Sequence, residues 1–264
     1  MKLAAFYHRE KGKKSVLKAF ALSLAAFFVW TSVFFGVRGV LLPTALVSAE
    51  RKLPIYSVAT SEKKLAISFD CAWGVEYTDK LLETMQKHGV RCTFFAVEFW
   101  VEKYPEYAKK IVEAGHELGT HSKTHPYMSK LSKAEIEAEL SSSCAVIERI
   151  TGVKPTLFRP PYGDYNNTLV ETAKELSLYT IQWDVDSLDW KNLSANEIAL
   201  RIVNAAKEGS IILCHNNGLH TAESLPMIFS TLQNRGYEFV PIGELIYKDN
   251  YEIDHTGKQH SLKG

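Results

Sequence analysis

Two histidines, His121 and His125, stand four positions apart in the run HSKTH. That spacing can set two imidazoles on one side of a helical turn, as a divalent metal requires. The plainer reading is a pair of surface or hydrogen-bonding histidines. Asp70 closes the apolar run of ISFDCAWG, where a carboxylate at a buried mouth must be paired or reactive, unless it caps a turn. Arg159, in LFRPPYG, is a fixed cation able to hold such a carboxylate ionised, and two prolines stiffen its surroundings. Asp186 and Asp189 in DVDSLDW fit an Asx-capped loop, with Trp190 beside them as either a core residue or a platform for a sugar ring. His215 follows Ile211, Ile212 and Leu213, so it leaves an apolar strand, and it titrates near neutral pH as a general acid does. A satisfied core histidine is the alternative. His88, His116 and His220 have no comparable surroundings and read as structural.

The elements that must position these residues alternate. Short apolar runs at 65–70, 92–97, 117–121, 156–159, 179–185, 210–215 and 238–241 read as strands. Helical patterns lie between them at 77–88, 103–114, 132–150, 166–177, 194–208 and 221–235. Ser132 with Glu135 and Ser194 with Glu197 have the spacing of capping boxes, which fixes two helix starts. Seven β-α units in series predict an α/β fold with a parallel sheet, closed or nearly closed into a barrel. Asp70, His121, Arg159, Asp186 and His215 all fall at or just beyond the C-terminal ends of strands, which converge on one face of such a barrel.

Across 264 residues the net charge is only +1, so no basic surface for nucleic acid is expected; the basic excess sits before an uncharged stretch at 19–37. That stretch is long enough to cross a bilayer, and the preceding Lys and Arg place its start inside. The expected organisation is a basic cytoplasmic segment at 1–18, a transmembrane signal-anchor at 19–42, a linker at 43–63, a catalytic domain at 64–247 and a polar tail at 248–264. The domain is then extracytoplasmic on a single-pass anchor, or secreted if cleavage follows Ala49 in Val47-Ser48-Ala49. Cys71, Cys92, Cys144 and Cys214 show neither C-x-x-C nor disulfide-scaffold spacing and read as small buried hydrophobes.

Taken in order, SFD, HSKTH, RPPYG, DSLDW and LCH resemble the motifs of the polysaccharide deacetylases with a NodB-homology domain (carbohydrate esterase family 4), over about residues 64–247. Within it, the membrane-anchored, sporulation-type branch looks most similar. The resemblance implies a distorted (β/α)7 barrel that hydrolyses N-acetyl groups of N-acetylglucosamine or N-acetylmuramic acid in peptidoglycan or a related glycan. It implies Asp70 as catalytic base, His121 and His125 as metal ligands, Arg159 orienting Asp70, and Asp189 supporting that arginine. His215 is implied as general acid, Trp190 as groove lining, Leu213 as a wall for the acetyl methyl, and Tyr162 as the source of a backbone amide for the oxyanion. The expected cofactor is a divalent metal, zinc foremost. One position departs from the pattern: the family carries a second, metal-binding acid where this chain has Cys71. The third ligand is then a Cys71 thiolate, Glu76 or Asp79 from the next loop, or water alone, and the metal's identity follows from that choice. Two further readings stay open: a non-catalytic glycan-binding envelope protein, and a deacetylase of another carbohydrate such as xylan.

Overall fold

The computed structural model describes residues 51–262 and, of the first fifty, residues 18, 22–27 and 29–30, which are helical. The expected anchor at 19–42, apart from those few positions, and the site after Ala49 lie outside the described residues. Among the described residues no helix is long and apolar enough to cross a membrane. The chain divides into two units, Met1–Glu50 and Arg51–Gly264, and the candidate site belongs wholly to the second.

Its strands are β1 (Ser57–Val58), β2 (Lys64–Cys71), β3 (Thr93–Ala96), β4 (Glu117–Thr120), β5 (Leu157–Phe158), β6 (Tyr179–Thr180), β7 (Val185–Asp186), β8 (Ile211–His215), β9 (Glu238–Phe239), β10 (Tyr251–Ile253) and β11 (Lys258–Ser261). The helices are α1 (Thr78–His88), α2 (Glu98–Lys103), α3 (Pro105–Glu113), α4 (Lys133–Thr151), α5 (Asn167–Glu175), α6 (Ala195–Ala205), α7 (Thr221–Asn234) and α8 (Ile242–Leu245). The main sheet runs β6-β5-β4-β3-β2-β8-β7, with β9 joining the start of β2, and its pairings are parallel.

Central β2 is buried almost throughout, which is why it reads as a continuous apolar run. Its alternation still matters. Leu65, Ile67, Phe69 and Cys71 pack into the layer between sheet and helices with Phe94, Trp100 and Ile228. Ala66 joins Phe95, Leu157, Ile181 and Ile211 in a separate cluster, and on its side of the strand Ser68 and Asp70 carry the polar groups.

The sheet is an open, curved half-barrel rather than a closed one. The expected strand at 179–185 breaks in two because the chain changes partners there: Ile181 still donates its N–H to Phe158, whereas Asp184 donates to Ile211 on β8. Single bridges from Ile55 to Ile181 and from Ser57 to Ser210 line the gap. The expected helix at 103–114 forms as α3, and a separate helix, α2, precedes it. Pro105 opens α3 with no N–H to donate, and Tyr104 before it leaves helical geometry at φ −129°, ψ 56°. Both capping boxes form as expected.

Connector and tail are part of the fold. β11 pairs in parallel with β1 and antiparallel with β10, and the buried Gln259 side chain satisfies both the N–H and the carbonyl of Tyr247. The compact unit therefore begins at Arg51, before the expected boundary at 64, and extends into the tail.

Candidate active site

At the C-terminal ends of the strands a pocket of about 660 Å³ is lined by Asp70, His121, His125, Tyr162, Asp186, Asp189, Trp190, Leu213 and His215, together with Trp73, Trp183 and Leu219. Its size suits a small ligand with most of its surface covered. Of the candidate site residues, Arg159, Cys71, Glu76 and Asp79 do not line it; Arg159 stands directly behind, bonded to Asp70.

Asp70, at the end of β2, is the centre of one polar network. Its Oδ1 accepts a hydrogen bond from Arg159 Nη1 at 2.8 Å. Arg159 is fully buried, donates from Nη2 to Ser68 Oγ at 2.8 Å, and rests its guanidinium carbon 4.2 Å from the Phe95 ring centroid. Such a planar, packed cation holds a carboxylate in one orientation. Burial alone pushes the Asp70 carboxyl up, but the charge of Arg159 foremost, with its hydrogen bond, outweighs it, and the carboxyl is held below its ordinary value.

The two histidines do not share a helical turn. His121 directly follows β4, and the chain reaches His125 through a loop in which Ser122 and His125 both have left-handed backbones, φ 74° and 57°. Glu139 of α4 pins this loop by accepting the N–H groups of Lys123 and Thr124, at 2.9 and 2.8 Å. The rings nonetheless meet edge to face, 4.9 Å apart. Among the described residues, five of the seven non-glycine residues with positive φ (Ser122, His125, Tyr162, Leu188 and Asn192) lie in the loops around this pocket, as strained backbone often does at functional sites.

His121 Nδ1 lies 2.7 Å from the Arg159 carbonyl. That oxygen only accepts, so Nδ1 carries the hydrogen and Nε2 presents a lone pair, 3.5 Å from Asp70 Oδ2. Burial lowers the proton affinity of His121 and brings that of His125 down to about 4, with His121 adding to the effect. His125 Nδ1 is buried without a hydrogen-bond partner. Two neutral imidazoles, one with an orphaned nitrogen and the other with a lone pair facing a carboxylate, are the donor set a divalent cation satisfies. A third protein ligand does not accompany them: among the described residues no group of three or more His, Cys, Asp or Glu is arranged to hold a metal. Cys71 falls on the helix-facing side of β2, fully buried with Sγ 3.8 Å from the Phe69 carbonyl. Burial raises its thiol well above the ordinary value. Asp79 is spent on Lys110 and Tyr107, and Glu76 is not among the residues lining the pocket.

Asp189 corrects one expectation: its partner is His215, not the arginine. Asp189 Oδ1 accepts from His215 Nδ1 at 2.7 Å, while Oδ2 takes the His215 backbone N–H at 2.8 Å and the Thr221 hydroxyl at 2.7 Å. Gly218 is required over this carboxylate, since a Cβ there would come within 2.9 Å of Asp189 Oδ2 and closer still to Thr221. Burial opposes charging His215, yet the hydrogen bond and charge of Asp189 prevail and raise its proton affinity. For Asp189 itself burial pushes upward, and the bond and charge of His215 outweigh it, leaving the carboxyl below its ordinary value. Asp186 makes the expected Asx turn, accepting the Leu188 N–H at 2.8 Å. Thr221 acts through a single hydroxyl that no spacing marks, Ser68 stands in the run SFD without a role assigned to it there, and Trp73 stands three residues beyond Asp70.

A half-barrel with an arginine-held carboxylate, a histidine pair and an aspartate-backed histidine at its strand ends defines a hydrolase-type site. The sequence matches the polysaccharide deacetylase family over residues 57–181. It is 33% identical to a peptidoglycan-N-acetylglucosamine deacetylase of Bacillus cereus, over 80% of this chain and 97% of that protein. It is 35% identical to the peptidoglycan-N-acetylglucosamine deacetylase PgdA of Listeria monocytogenes over 79% of this chain, but spans only 43% of that relative. Among solved structures, a CE4 family pseudoenzyme from Bacillus anthracis superposes with a TM-score of 0.71 at 35% identity, covering 78% of this chain and 72% of that one. The chain belongs to the polysaccharide deacetylase family.

Proposed function

We propose that the protein is a hydrolase that removes N-acetyl groups from N-acetylglucosamine or N-acetylmuramic acid units of peptidoglycan or a related cell-surface polysaccharide. The observation that carries this reading is the pair of oppositely tuned groups across one pocket: Asp70 held as a carboxylate by Arg159, and His215 biased toward its protonated form by Asp189. Such a split assigns a base and an acid. His121 and His125 would hold a divalent metal, zinc being suited to imidazole; when bound it supplies polarisation of the acetyl carbonyl and acidification of water. Asp70 takes a proton as water oxygen bonds to the acetyl carbon. His215 Nε2 gives a proton to the amide nitrogen as the C–N bond breaks, so acetate and a sugar amine leave. Leu213 bounds the space for the methyl, the Tyr162 amide supports the developing oxyanion, and Trp190 carries the sugar ring.

Similarity to the peptidoglycan deacetylases supports the substrate class, and an anchored, extracytoplasmic domain would suit an immobile polymer better than a soluble metabolite. Acetate release from N-acetylated glycan strands, with xylan as the comparison polymer, tests the reading. Asp70→Asn and His125→Ala should each abolish release, and undiminished activity in either refutes it.

A second reading is favoured by one observation. Cys71, where the family carries its metal-binding acid, lies in the core, and a pseudoenzyme is among the similar structures. On that reading the chain binds glycan without hydrolysing it, and wild-type protein loaded with zinc releases no acetate.

A further inference from the structure

The loop that brings the two histidines together is held from behind by one helix. Each backbone N–H from His121 to His125 finds an acceptor inside the protein. His121 donates to the Ala96 carbonyl at 2.9 Å, Ser122 to Thr120 Oγ1 at 3.2 Å, and His125 to Ser122 Oγ at 3.0 Å. Lys123 and Thr124 share Glu139 Oε2, and the Thr124 hydroxyl gives a third bond to Glu139 Oε1 at 2.6 Å. Lys123 and Thr124 are exposed, where water could serve their N–H groups equally well, so folding alone does not call for a carboxylate there. Glu139 stands one helical turn before Ser143 on the same side of α4. Ser143 is buried and shares a 2.6 Å hydrogen bond with Thr120, so a single turn of helix grips the loop at its entry and at its middle. That helix is a firm support: a capping box fixes its start, and Ile136, Leu140 and Ile147 bury its inner face. From the other side, the Glu98 N–H at the start of α2 donates to the Ser122 carbonyl at 3.0 Å. None of these bonds uses an imidazole nitrogen, so the loop takes its shape with the ligand atoms left over.

We propose that Glu139 is a positioning residue for the histidine pair: its three hydrogen bonds to Lys123 and Thr124 hold the backbone on which His125 turns left-handed, and so preform the metal site. The proposal rests on the metal-binding reading above and adds a residue that stands outside HSKTH and does not line the pocket. A preformed pair binds an ion without the cost of ordering the loop, whereas a loose loop must give up that freedom on binding. His125 is the ligand at stake, because it directly follows Thr124. His121 is fixed independently, by the end of β4 and by the Arg159 carbonyl. Charge alone would be a different role, since a nearby carboxylate favours a cation whether or not it shapes the loop. Glutamine separates the two. Its amide oxygen can accept both N–H groups and its NH2 can donate to the Thr124 hydroxyl, so the geometry survives while the charge goes.

The test follows zinc binding to the full chain by competition with a chromophoric chelator, beside amide hydrogen exchange on the metal-free protein. In Glu139→Ala the zinc dissociation constant should rise by about ten- to a hundredfold. The Lys123 and Thr124 amides, protected in the metal-free wild type, should then exchange as an open loop does. Glu139→Gln should stay close to the wild type in both measurements. Alanine and glutamine are both good helix formers, so the variants should fold, and unchanged exchange in β2 and β8 checks that they do. Zinc affinity unchanged in Glu139→Ala overturns the proposal. Equal loss in Glu139→Ala and Glu139→Gln also overturns it, by assigning the effect to charge. A wild-type chain that takes up no zinc overturns it together with the metal reading, and the wild-type titration alone shows this. Acetate is not read, so a Glu139-dependent zinc affinity in a chain that releases none would uphold the positioning role while refuting hydrolysis.

Discussion

Replacing Asp189 with Asn separates charge from shape at the proposed acid. Oδ2 accepts two hydrogen bonds, from the His215 backbone N–H and the Thr221 hydroxyl, so the amide oxygen of the variant must stay there. Its NH2 then takes the place of Oδ1, facing His215 Nδ1, 2.7 Å away in the wild type. His215 must accept at Nδ1, and adding a proton would set N–H against N–H. The imidazolium loses a charge-assisted bond of about 1.5–3 kcal/mol, and at about 1.36 kcal/mol per unit its proton affinity falls by about one to two pKa units. The His215 side chain is 27% exposed and that of Asp189 is fully buried, so solvent screens little of this.

The direction follows from the wild-type shift. His215 is raised, so it remains an acid to higher pH, and kcat/KM falls only as pH passes that raised value. In Asp189→Asn the alkaline limb should move down by about one to two units, a loss of about ten- to a hundredfold on the alkaline side. Wild-type stability gained from the pair is fully present below the ordinary histidine value and fades as pH rises through the raised one; the variant should lack that dependence. Acetate release measured across pH reads the first effect, and urea titrations at two pH values the second. An unmoved alkaline limb would refute His215 as the acid that Asp189 tunes.

Two further outcomes follow from burial. Arg159→Met leaves Asp70 in place without its cation and should cost about 3–5 kcal/mol in urea unfolding at neutral pH. The deficit should shrink in acid, because the wild-type gain from a lowered Asp70 is itself lost as pH falls through that carboxyl's pKa; an equal deficit at all pH values would contradict the pairing. Cys71→Ser should leave the bound metal per chain unchanged by elemental analysis, while costing about 1–3 kcal/mol for a hydroxyl in apolar surroundings. Loss of metal in that variant would show the thiol to be a ligand after all.

The strands that carry Asp70, His121, Arg159 and His215 were legible because each is a short apolar run ending in a polar residue of unusual type, and burial enforces that pattern. What the sequence hid were choices among equivalent partners. Nothing in DSLDW distinguishes an aspartate serving Arg159 from one serving His215, since both cations lie at strand ends; only the register of β8 against β7, with Leu213 beside Asp186, decides it. The facing of Cys71 was likewise implicit in the period-two alternation, because Asp70 inside requires its neighbour outside. The four-residue spacing of His121 and His125 correctly placed the rings together for the wrong reason: two left-handed residues do what a helical turn was expected to do. The strand at 258–261 was invisible because it pairs with Ser57 and Val58, two hundred residues earlier, and the strand at 251–253 forms only against it.

The measurement that bears most directly on the account is acetate released by the purified full chain, loaded with zinc, from N-acetylated peptidoglycan strands, with new sugar amines counted beside it. The account predicts acetate and amine in equal amounts, with none from the Asp70→Asn variant. Tight binding of the same strands with no acetate from the wild type would contradict it and leave the chain a glycan-binding relative of the enzymes it resembles.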